Sequence, residues 1–214
     1  MNRTQLLIAF ITLLLVQSQL RAQTSDLPRY EIAGEFTSMG RNNFGGGMEA
    51  GVGARFTFNL NKTFALETAA YHFPRTCQSC EHNGTITQVV GGLKVGKRFE
   101  NWGIFAKGRP GVVSFSRGGF NAVPAPGNPV IPFQFEINRV NSFAVDAGGV
   151  VEFYPSKRLV TRFDVGDTII HFNRRQFNNI ISDGTGTIFT LVPQTSPAKT
   201  THNFQFMAGV GFRF

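Results

Sequence analysis

The sequence predicts an all-β protein, an eight-stranded antiparallel up-and-down transmembrane β-barrel. The last segment indicates this most clearly, because apolar residues fill alternate positions up to the final one: Phe204, Phe206, Ala208, Val210, Phe212 and Phe214. Such a strand has one apolar face and one polar or small face, with Met207 as the exception. Two further observations agree with it: the same alternation recurs along the chain, and the N-terminus has the pattern of an export signal.

The N-terminus predicts a signal peptide at residues 1–22, which leaves residues 23–214 as one barrel domain. Asn2 and Arg3 precede an apolar run of 11 residues, positions 6–16, which is too short for a membrane-spanning helix. Ala22 supplies the small residue for cleavage, and cleavage after Ser18 is the alternative. An uncleaved anchor is the competing interpretation. No later stretch reaches 18 consecutive apolar residues.

Eight segments alternate apolar with polar or small residues: 30–38, 48–60, 64–73, 85–99, 102–115, 143–154, 159–169 and 204–214. The second is the most regular, with an apolar residue at every even position from 48 to 60. Pro110 predicts a local break in the ladder of the fifth segment, because proline has no amide hydrogen to donate. The alternation of the seventh segment fails at Asp167, where we expect the strand to leave the membrane.

The links between these segments alternate between short and long. Residues 61–62, 100–101 and 155–157 are short links, whereas residues 39–47, 74–84, 116–142 and 170–201 are long ones. Short periplasmic turns and long external loops are typical of bacterial outer-membrane barrels, and an even strand number puts both termini on the periplasmic side. The third long link contains Pro124, Pro126, Pro129 and Pro132, and we expect it to be extended and mobile.

The segments together resemble the small eight-stranded outer-membrane barrels, the OmpA transmembrane-domain and OmpX type. The stretches Gly92-Leu-Lys-Val-Gly-Lys-Arg-Phe99, Gly103-Ile-Phe-Ala-Lys107 and Arg162-Phe-Asp-Val-Gly-Asp167 are similar to a family of outer-membrane β-barrel-domain proteins that has no assigned chemistry. The resemblance covers the whole mature chain. It implies a bacterial outer-membrane location, and it says almost nothing about function.

The C-terminus resembles the signal that the barrel-assembly machinery reads during biogenesis. The match is carried by Gly209, Phe212 and Phe214, whereas Met207 stands where a polar residue is usual. The resemblance implies that this machinery is a partner of the chain during biogenesis. The alternative is a buried terminal strand in a soluble barrel.

An eight-stranded barrel has an interior just wide enough for side chains, so we expect no general diffusion pore. Six acidic and six basic residues map to the inward faces: Glu35, Glu49, Arg55, Glu67, Lys94, Lys107, Arg109, Asp146, Glu152, Arg162, Asp164 and Arg213. Buried charges are costly unless they pair and form hydrogen bonds. We therefore expect a charge network that plugs the lumen, with a gated, narrow ion path as the alternative.

No residue pattern predicts catalysis, and we expect no metal and no other cofactor. His72, His82, His171 and His202 map to the long-loop rim, where His72, His171 and His202 take lipid-facing positions. No serine or acid motif accompanies them, whereas a hydrolytic site needs a base, an orienting acid and a nucleophile in contact. A rim enzyme that modifies lipid A is therefore an alternative function and not the expected one.

Cys77 and Cys80 are the two cysteines of the chain, and both lie in the second long link near His82. A redox pair or half of a metal site is the alternative reading, but no second pair completes a zinc site. In an oxidising compartment we expect a local disulfide, which should add little stability because its ring is small.

The formal charge of +8 falls to +6 when Arg3 and Arg21 leave with the signal peptide. The positive charges are scattered, so we expect outer-membrane lipids and not nucleic acid as partners. The four long links hold seven basic and three acidic residues, a net +4 that suits lipopolysaccharide phosphates, with ordinary loop solubility as the alternative explanation. We expect a monomer with a structural or loop-mediated interaction role at the cell surface. Trp102 and Tyr154 should join the aromatic girdle near the periplasm.

Overall fold

The alternating segments of the sequence form antiparallel strands in the computed structural model, which describes residues 27–40, 47–74, 84–125, 133–182 and 189–214. Within these ranges lie ten strands: β1 (Tyr30–Gly40), β2 (Met48–Asn59), β3 (Phe64–Phe73), β4 (Ile86–Arg98), β5 (Trp102–Pro124), β6 (Phe133–Ser156), β7 (Leu159–Phe172), β8 (Arg175–Ser182), β9 (Phe189–Ser196) and β10 (Lys199–Arg213). No helix in the described ranges is long and apolar enough to cross a membrane.

Eight strands close into a barrel in the order β1-β10-β7-β6-β5-β4-β3-β2, while β8 and β9 pair with each other as a separate hairpin. Closure is made by β1 and β10, which pair from Glu31 opposite Arg213 to Met39 opposite Gln205. A closed barrel leaves no strand edge with unpaired backbone groups, as a lipid environment requires. The predicted eight-stranded antiparallel up-and-down barrel is therefore confirmed.

Alternation along each strand separates an outer apolar face from an inner polar one. In β3, for example, Phe64 and Leu66 are exposed on the outside, whereas Ala65 and Glu67 are buried inside. The outer face of the barrel carries a band of exposed large apolar side chains, and lipid is the solvent that such a band fits.

Short turns join strands at one end of the barrel, which we call the turn rim, and the opposite end is the loop rim. The turn between β2 and β3 is fixed by Asn61, whose Oδ1 accepts hydrogen bonds from the backbone amides of Thr63 (2.7 Å) and Phe64 (2.8 Å). This side-chain mimic of a backbone turn is a common role of asparagine. Both Tyr30 and Phe214, the ends of the barrel domain, lie at this rim and bond to each other through their backbones.

The ladder between β4 and β5 is interrupted where the sequence predicted a break. Pairing runs from Ile86 opposite Phe115 to Val90 opposite Gly111 and resumes at Leu93 opposite Gly108, so Arg109 and Pro110 are skipped. On its other side Pro110 stays in register with Val145 of β6. The missing amide hydrogen of proline explains the gap on the β4 side.

Two long links were predicted as loops but contain further strands, and this is where the sequence interpretation was wrong. β5 and β6 extend beyond residues 115 and 143 into residues 116–142, and β8 and β9 lie within residues 170–201. The extension was missed because a β-bulge between Phe115 and Gly119 interrupts the alternation. β8 was not predicted because it contains Asn178 and Asn179, and asparagine is rare in strands. The alternation also survives Asp167, because β7 continues to Phe172.

Candidate functional site

All twelve charged residues predicted for the lumen are buried, and the most exposed of them, Glu49, is 8% exposed. Two more charges join the network that sequence reasoning left out. Glu31 is fully buried, and the side chain of Arg98 is 6% exposed. Strand parity could have found both, because Glu31 shares the face of Glu35 and Arg98 shares the face of Lys94.

The centre of the network is Arg162 of β7. Its guanidinium reaches Glu67 across the barrel, with 3.0 Å between Nη2 and Oε2, and Asp164 on its own strand, with 2.5 Å between Nε and Oδ1. Lys94 Nζ lies 2.5 Å from Glu152 Oε1 and 3.3 Å from Glu67 Oε1, so Lys94 and Arg162 share both Glu67 and Glu152. Such pairing offsets the cost of removing these charges from water.

A second group of charges lies closer to the loop rim. Lys107 Nζ bridges Asp146 at 3.1 Å and Asp164 at 3.0 Å, and Arg109 also pairs with Asp146. On the opposite wall, Glu35 accepts hydrogen bonds from Arg55 Nε at 2.7 Å and from the Tyr71 hydroxyl at 2.6 Å. The network therefore links strands on all sides of the lumen.

An uncharged polar layer follows the charged network towards the loop rim. Gln205 Nε2 donates to Thr37 Oγ1 at 2.8 Å and to Gln88 Oε1 at 3.1 Å, and Gln205 also bonds to Thr168. All four of these side chains are buried. The layer joins strands β1, β4, β7 and β10 by amide and hydroxyl contacts.

An apolar layer fills the lumen beyond the polar one. Met39, Ile86 and Ile170 each lie two residues further towards the loop rim than Thr37, Gln88 and Thr168 on the same strands, so the two layers are stacked. Phe73 and Phe115 complete the buried apolar cluster, and Phe172 packs on it with its ring 5.6 Å from that of Phe115. Polar side chains share this level, since the buried Glu49 pairs with Met39 and the buried Asn203 lies two residues beyond Gln205. The described lumen is thus filled by a charged layer, a polar layer and a mainly apolar layer in turn.

Two hairpins meet at the loop rim and together form a surface that we call the ridge. The first hairpin pairs residues 116–124 of β5 with residues 133–142 of β6, and the second pairs β8 with β9. Both terminal nitrogens of Arg175 donate to the backbone oxygen of Gly118 at 3.2 Å. Asn178 N donates to Asn121 Oδ1 at 2.7 Å, and the rings of Phe120 and Phe177 meet edge to face at 5.9 Å. These contacts fix one hairpin on the other and enclose a cleft of about 300 Å³.

The β5–β6 part of the ridge exposes an apolar patch, defined by Phe120, Phe135 and Ile137. Phe120 pairs directly with Ile137, and Phe135 lies two residues further along the same face of β6. Phe120 is 42% exposed, Phe135 58% and Ile137 55%. The opposite face of the same strand carries the exposed polar residues Gln134 and Asn138. Clustered exposed apolar side chains of this kind mark interaction sites.

The described histidines His72, His171 and His202 are exposed on the outer wall, whereas His82 lies outside the described residues. Asp167 accompanies His202, with 2.5 Å between His202 Nδ1 and Asp167 Oδ2, a contact that no local sequence motif indicated. The pair was missed because the two residues belong to neighbouring strands and are 35 positions apart. The hydroxyl of Thr200 contacts a different histidine, His171, at 3.0 Å.

The terminal strand presents its three predicted signal residues in different surroundings. Phe212 and Phe214 are exposed on the outer wall, and the Phe214 ring lies 5.9 Å from that of Tyr30. Gly209 faces inward, and a Cβ at this position would come within 2.6 Å of Glu35 Cγ. The signal peptide at residues 1–22 and the disulfide between Cys77 and Cys80 lie outside the described residues and stay predictions.

The aromatic girdle at the turn rim differs from the prediction in one residue. Trp102 is exposed and stacks on Phe99, with 4.3 Å between the ring centroids. Tyr154, in contrast, points into the lumen, where its hydroxyl donates to Glu152 at 2.9 Å. Parity decides this, because Tyr154 shares the inner face of β6 with Glu152.

No family model and no curated protein sequence matches this chain. Among solved structures, neisserial surface protein A is similar with a TM-score of 0.54 and 8% identity, over 86% of this chain and 97% of that one. The N-terminal barrel domain of OprF from Pseudomonas aeruginosa has a TM-score of 0.43 and 8% identity, over 86% and 97% of the two chains. Ail, the attachment invasion locus protein of Yersinia pestis, has a TM-score of 0.41 and 13% identity, over 86% of this chain and 96% of that one.

The similarity to neisserial surface protein A shows the fold of this chain. This fold is the small eight-stranded outer-membrane β-barrel, as the resemblance of the sequence implied. At 8% identity the similarity extends to the fold alone.

Proposed function

We propose that this chain is a monomeric protein of the bacterial outer membrane, with a closed lumen and an interaction role at the cell surface. The observation that carries the proposal is the ridge at the loop rim, where β8–β9 is fixed on the extension of β5–β6. Loops that bind no other molecule would not need contacts that fix one hairpin on another. A ridge held in one geometry loses less entropy when it binds a partner.

The distance from the turn rim to the ridge exceeds the thickness of the membrane's apolar band, so the ridge should lie outside the membrane. Trp102, in the girdle at the turn rim, precedes Phe120 by 18 residues on the same strand. A rise of about 3.3 Å per residue and a tilt of roughly 40° give ~45 Å of height, against an apolar band of about 25 Å. The apolar patch would therefore stand about 20 Å outside the apolar band.

The composition of the ridge favours a protein as the partner. Phenylalanine and arginine are typical of the buried centre of protein interfaces, and the apolar patch is flanked by Arg139 and Arg175. Lipopolysaccharide is the expected neighbour at the base of the ridge. The described long links there carry five cations, Arg117, Arg139, Arg174, Arg175 and Lys199, against the single described acid Glu136.

Photo-crosslinking in intact cells tests the interaction role. A photoreactive phenylalanine analogue at Phe135 or Ile137 should give a discrete protein adduct, because both side chains point away from the barrel on the apolar patch. The matched controls are Gln134 and Asn138 on the opposite face of the same strand, which should give much less of that adduct. Equal adducts from both faces, or only the size ladder of lipopolysaccharide, would argue against a protein partner at the patch.

An enzyme that modifies lipid A is the second candidate function, and the pair of His202 and Asp167 on the outer wall favours it. An acid that orients an imidazole is one part of a hydrolytic site, but the hydroxyl of Thr200 contacts a different histidine, His171. We therefore expect the mass of lipid A to be the same in cells with and without the protein. A mass change that Asp167→Asn abolishes would establish the enzyme instead.

A further inference from the structure

We infer that the mouth of the barrel at the turn rim binds an oxyanion, a phosphate or carboxylate group. The mouth holds a pocket of about 760 Å³, which falls in the size range of ligand sites. Side chains from three turns and from the strand ends line the pocket. Those with polar groups that could donate hydrogen bonds to an anion are Lys62, Arg98, Asn101, Tyr154, Lys157 and Arg213. The inference does not depend on the role proposed for the loop rim.

Arg98 provides the main reason to expect a ligand. Its Nε donates to the Tyr154 hydroxyl at 2.9 Å, and its Nη2 donates to Asn59 Oδ1 at 3.0 Å. The third nitrogen, Nη1, is buried and has no hydrogen-bond partner within the described residues. An unpaired buried guanidinium nitrogen is costly, and Arg98 lines the pocket, so a small rotation of its side chain towards the pocket would let an oxyanion pair with its fork of donors.

Tyr154 holds a second arginine beside the first. Arg213 lies over the Tyr154 ring, with 4.2 Å between the guanidinium carbon and the ring centroid, while Arg98 lies 5.7 Å from the same centroid. Both guanidinium groups thus contact the same ring. Cation–π contacts of this kind fix arginine in place without neutralising its charge.

The charges around the pocket leave it positive. Its lining contains Lys62, Arg98, Lys157 and Arg213 but one acid, Glu100. Two carboxylates lie on the lumen side: Glu31 is 3.7 Å from Arg98 and 3.3 Å from Arg213, and Glu152 is 3.7 Å from Arg98. Both are shared with other cations, since Glu31 also faces Arg55 and Glu152 faces Lys94. The lumen acids therefore offset Arg98 and Arg213 only in part, and Lys62 and Lys157 add two positive charges against the one lining acid Glu100.

Two sources could supply the anion at this rim. By the orientation rule of these barrels the turn rim faces the periplasm, so a soluble phosphate or carboxylate compound can reach the mouth. The headgroup of an anionic phospholipid in the inner leaflet is the other source. Both present the same chemistry to Arg98, and the experiment below distinguishes them.

Titration calorimetry on the folded full-length barrel in a non-ionic detergent tests the inference, with inorganic phosphate, citrate and short-chain phosphatidylglycerol as ligands and chloride as the ionic-strength control. We expect saturable binding of phosphate and citrate. Arg98→Gln should weaken it by about tenfold to hundredfold, the range for a hydrogen bond to a charged group. Lys157→Gln on the exposed rim should weaken it by roughly twofold to fivefold, as for an exposed charge.

Lys199→Gln removes the same charge at the opposite rim and should bind like the unmodified protein, which makes it the matched control. Lys157→Gln keeps the test valid should Arg98→Gln fail to fold. Saturable binding of phosphatidylglycerol alone would support the site and assign it to a lipid headgroup. An absence of binding beyond the chloride control, or equal weakening by Lys157→Gln and Lys199→Gln, would overturn the inference.

Discussion

Most charged residues of the lumen lie in ion pairs, and a buried charge in such a pair is stable only while its partner is present. Seven acids, Glu31, Glu35, Glu49, Glu67, Asp146, Glu152 and Asp164, face seven bases, Arg55, Lys94, Arg98, Lys107, Arg109, Arg162 and Arg213. This balance keeps the interior close to neutral. Removing one partner of a buried pair leaves an uncompensated charge, which costs more than the pair itself contributes.

Arg162 offers the sharpest test of this network. The variant Arg162→Met removes the cation shared by Glu67, Asp164 and Glu152 and keeps most of the apolar volume. We expect the free energy of unfolding to fall by about 3–5 kcal/mol. Urea titration of the detergent-solubilised barrel, followed by the fluorescence of the single tryptophan Trp102, measures it.

The matched control is Arg158→Met on the exposed turn rim, close to Arg162 in the sequence. This variant should change the free energy of unfolding by no more than about 0.5 kcal/mol, as is usual for exposed positions. If both variants lost the same small amount, the buried ion pairs would not be what stabilises the interior.

Strand parity predicted which charged residues face the lumen but not which of them meet. Parity assigns a face to each residue, so it placed Glu67 and Arg162 inside. The two residues are 95 positions apart, on strands that lie on opposite walls of the closed barrel, so their side chains meet across the lumen. The pairing of His202 with Asp167 was missed for the same reason, because it depends on the register between β7 and β10.

At the scale of elements, the terminal strand has two roles that can be separated. β10 closes the barrel against β1, and Phe214 adds backbone hydrogen bonds of 2.9 Å in both directions with Tyr30. Phe214→Ala keeps these bonds and removes the ring. Because the ring is 64% exposed on the outer wall, the folded barrel should lose little stability.

We expect Phe214→Ala to refold normally in detergent but to accumulate poorly in the outer membrane, because the residue is part of the resembled assembly signal. Phe204→Ala is the control, since Phe204 is 54% exposed on the same face of the same strand and lies outside that signal. Quantitative immunoblots of membrane fractions compare the two. Equal accumulation would mean that the terminus is not read, and equal refolding defects would assign Phe214 to packing.

The sequence predicted the barrel strands well and the ridge poorly. Barrel strands must alternate because lipid lies on one side and the filled lumen on the other, so β2 and β3 were predicted to within one residue. That constraint ends at the loop rim, where both faces of a strand can be polar. β8, with Asn178 and Asn179 at its centre, therefore has no pattern that marks it as a strand.

At the scale of the whole molecule, the filled lumen separates the two ends of the barrel. Charged, polar and apolar layers succeed each other from the turn rim to the loop rim, and Phe73 and Ile86 of the apolar layer are almost fully buried. An ion would have to displace paired charges and then pass the tightly packed, mainly apolar level of Phe73 and Ile86, which itself opposes hydration. The two proposed roles, an interaction surface at the loop rim and an anion site at the turn rim, can thus be tested independently.

Single-channel recording in planar bilayers tests the closed lumen most directly. The sample would be barrel that is verified as folded by its heat-dependent gel mobility, and recordings would be made at both voltage polarities in concentrated salt. We predict a baseline indistinguishable from that of a bilayer without protein. Stable conductance steps whose frequency rises with the amount of folded barrel would contradict the closed lumen and establish an ion path.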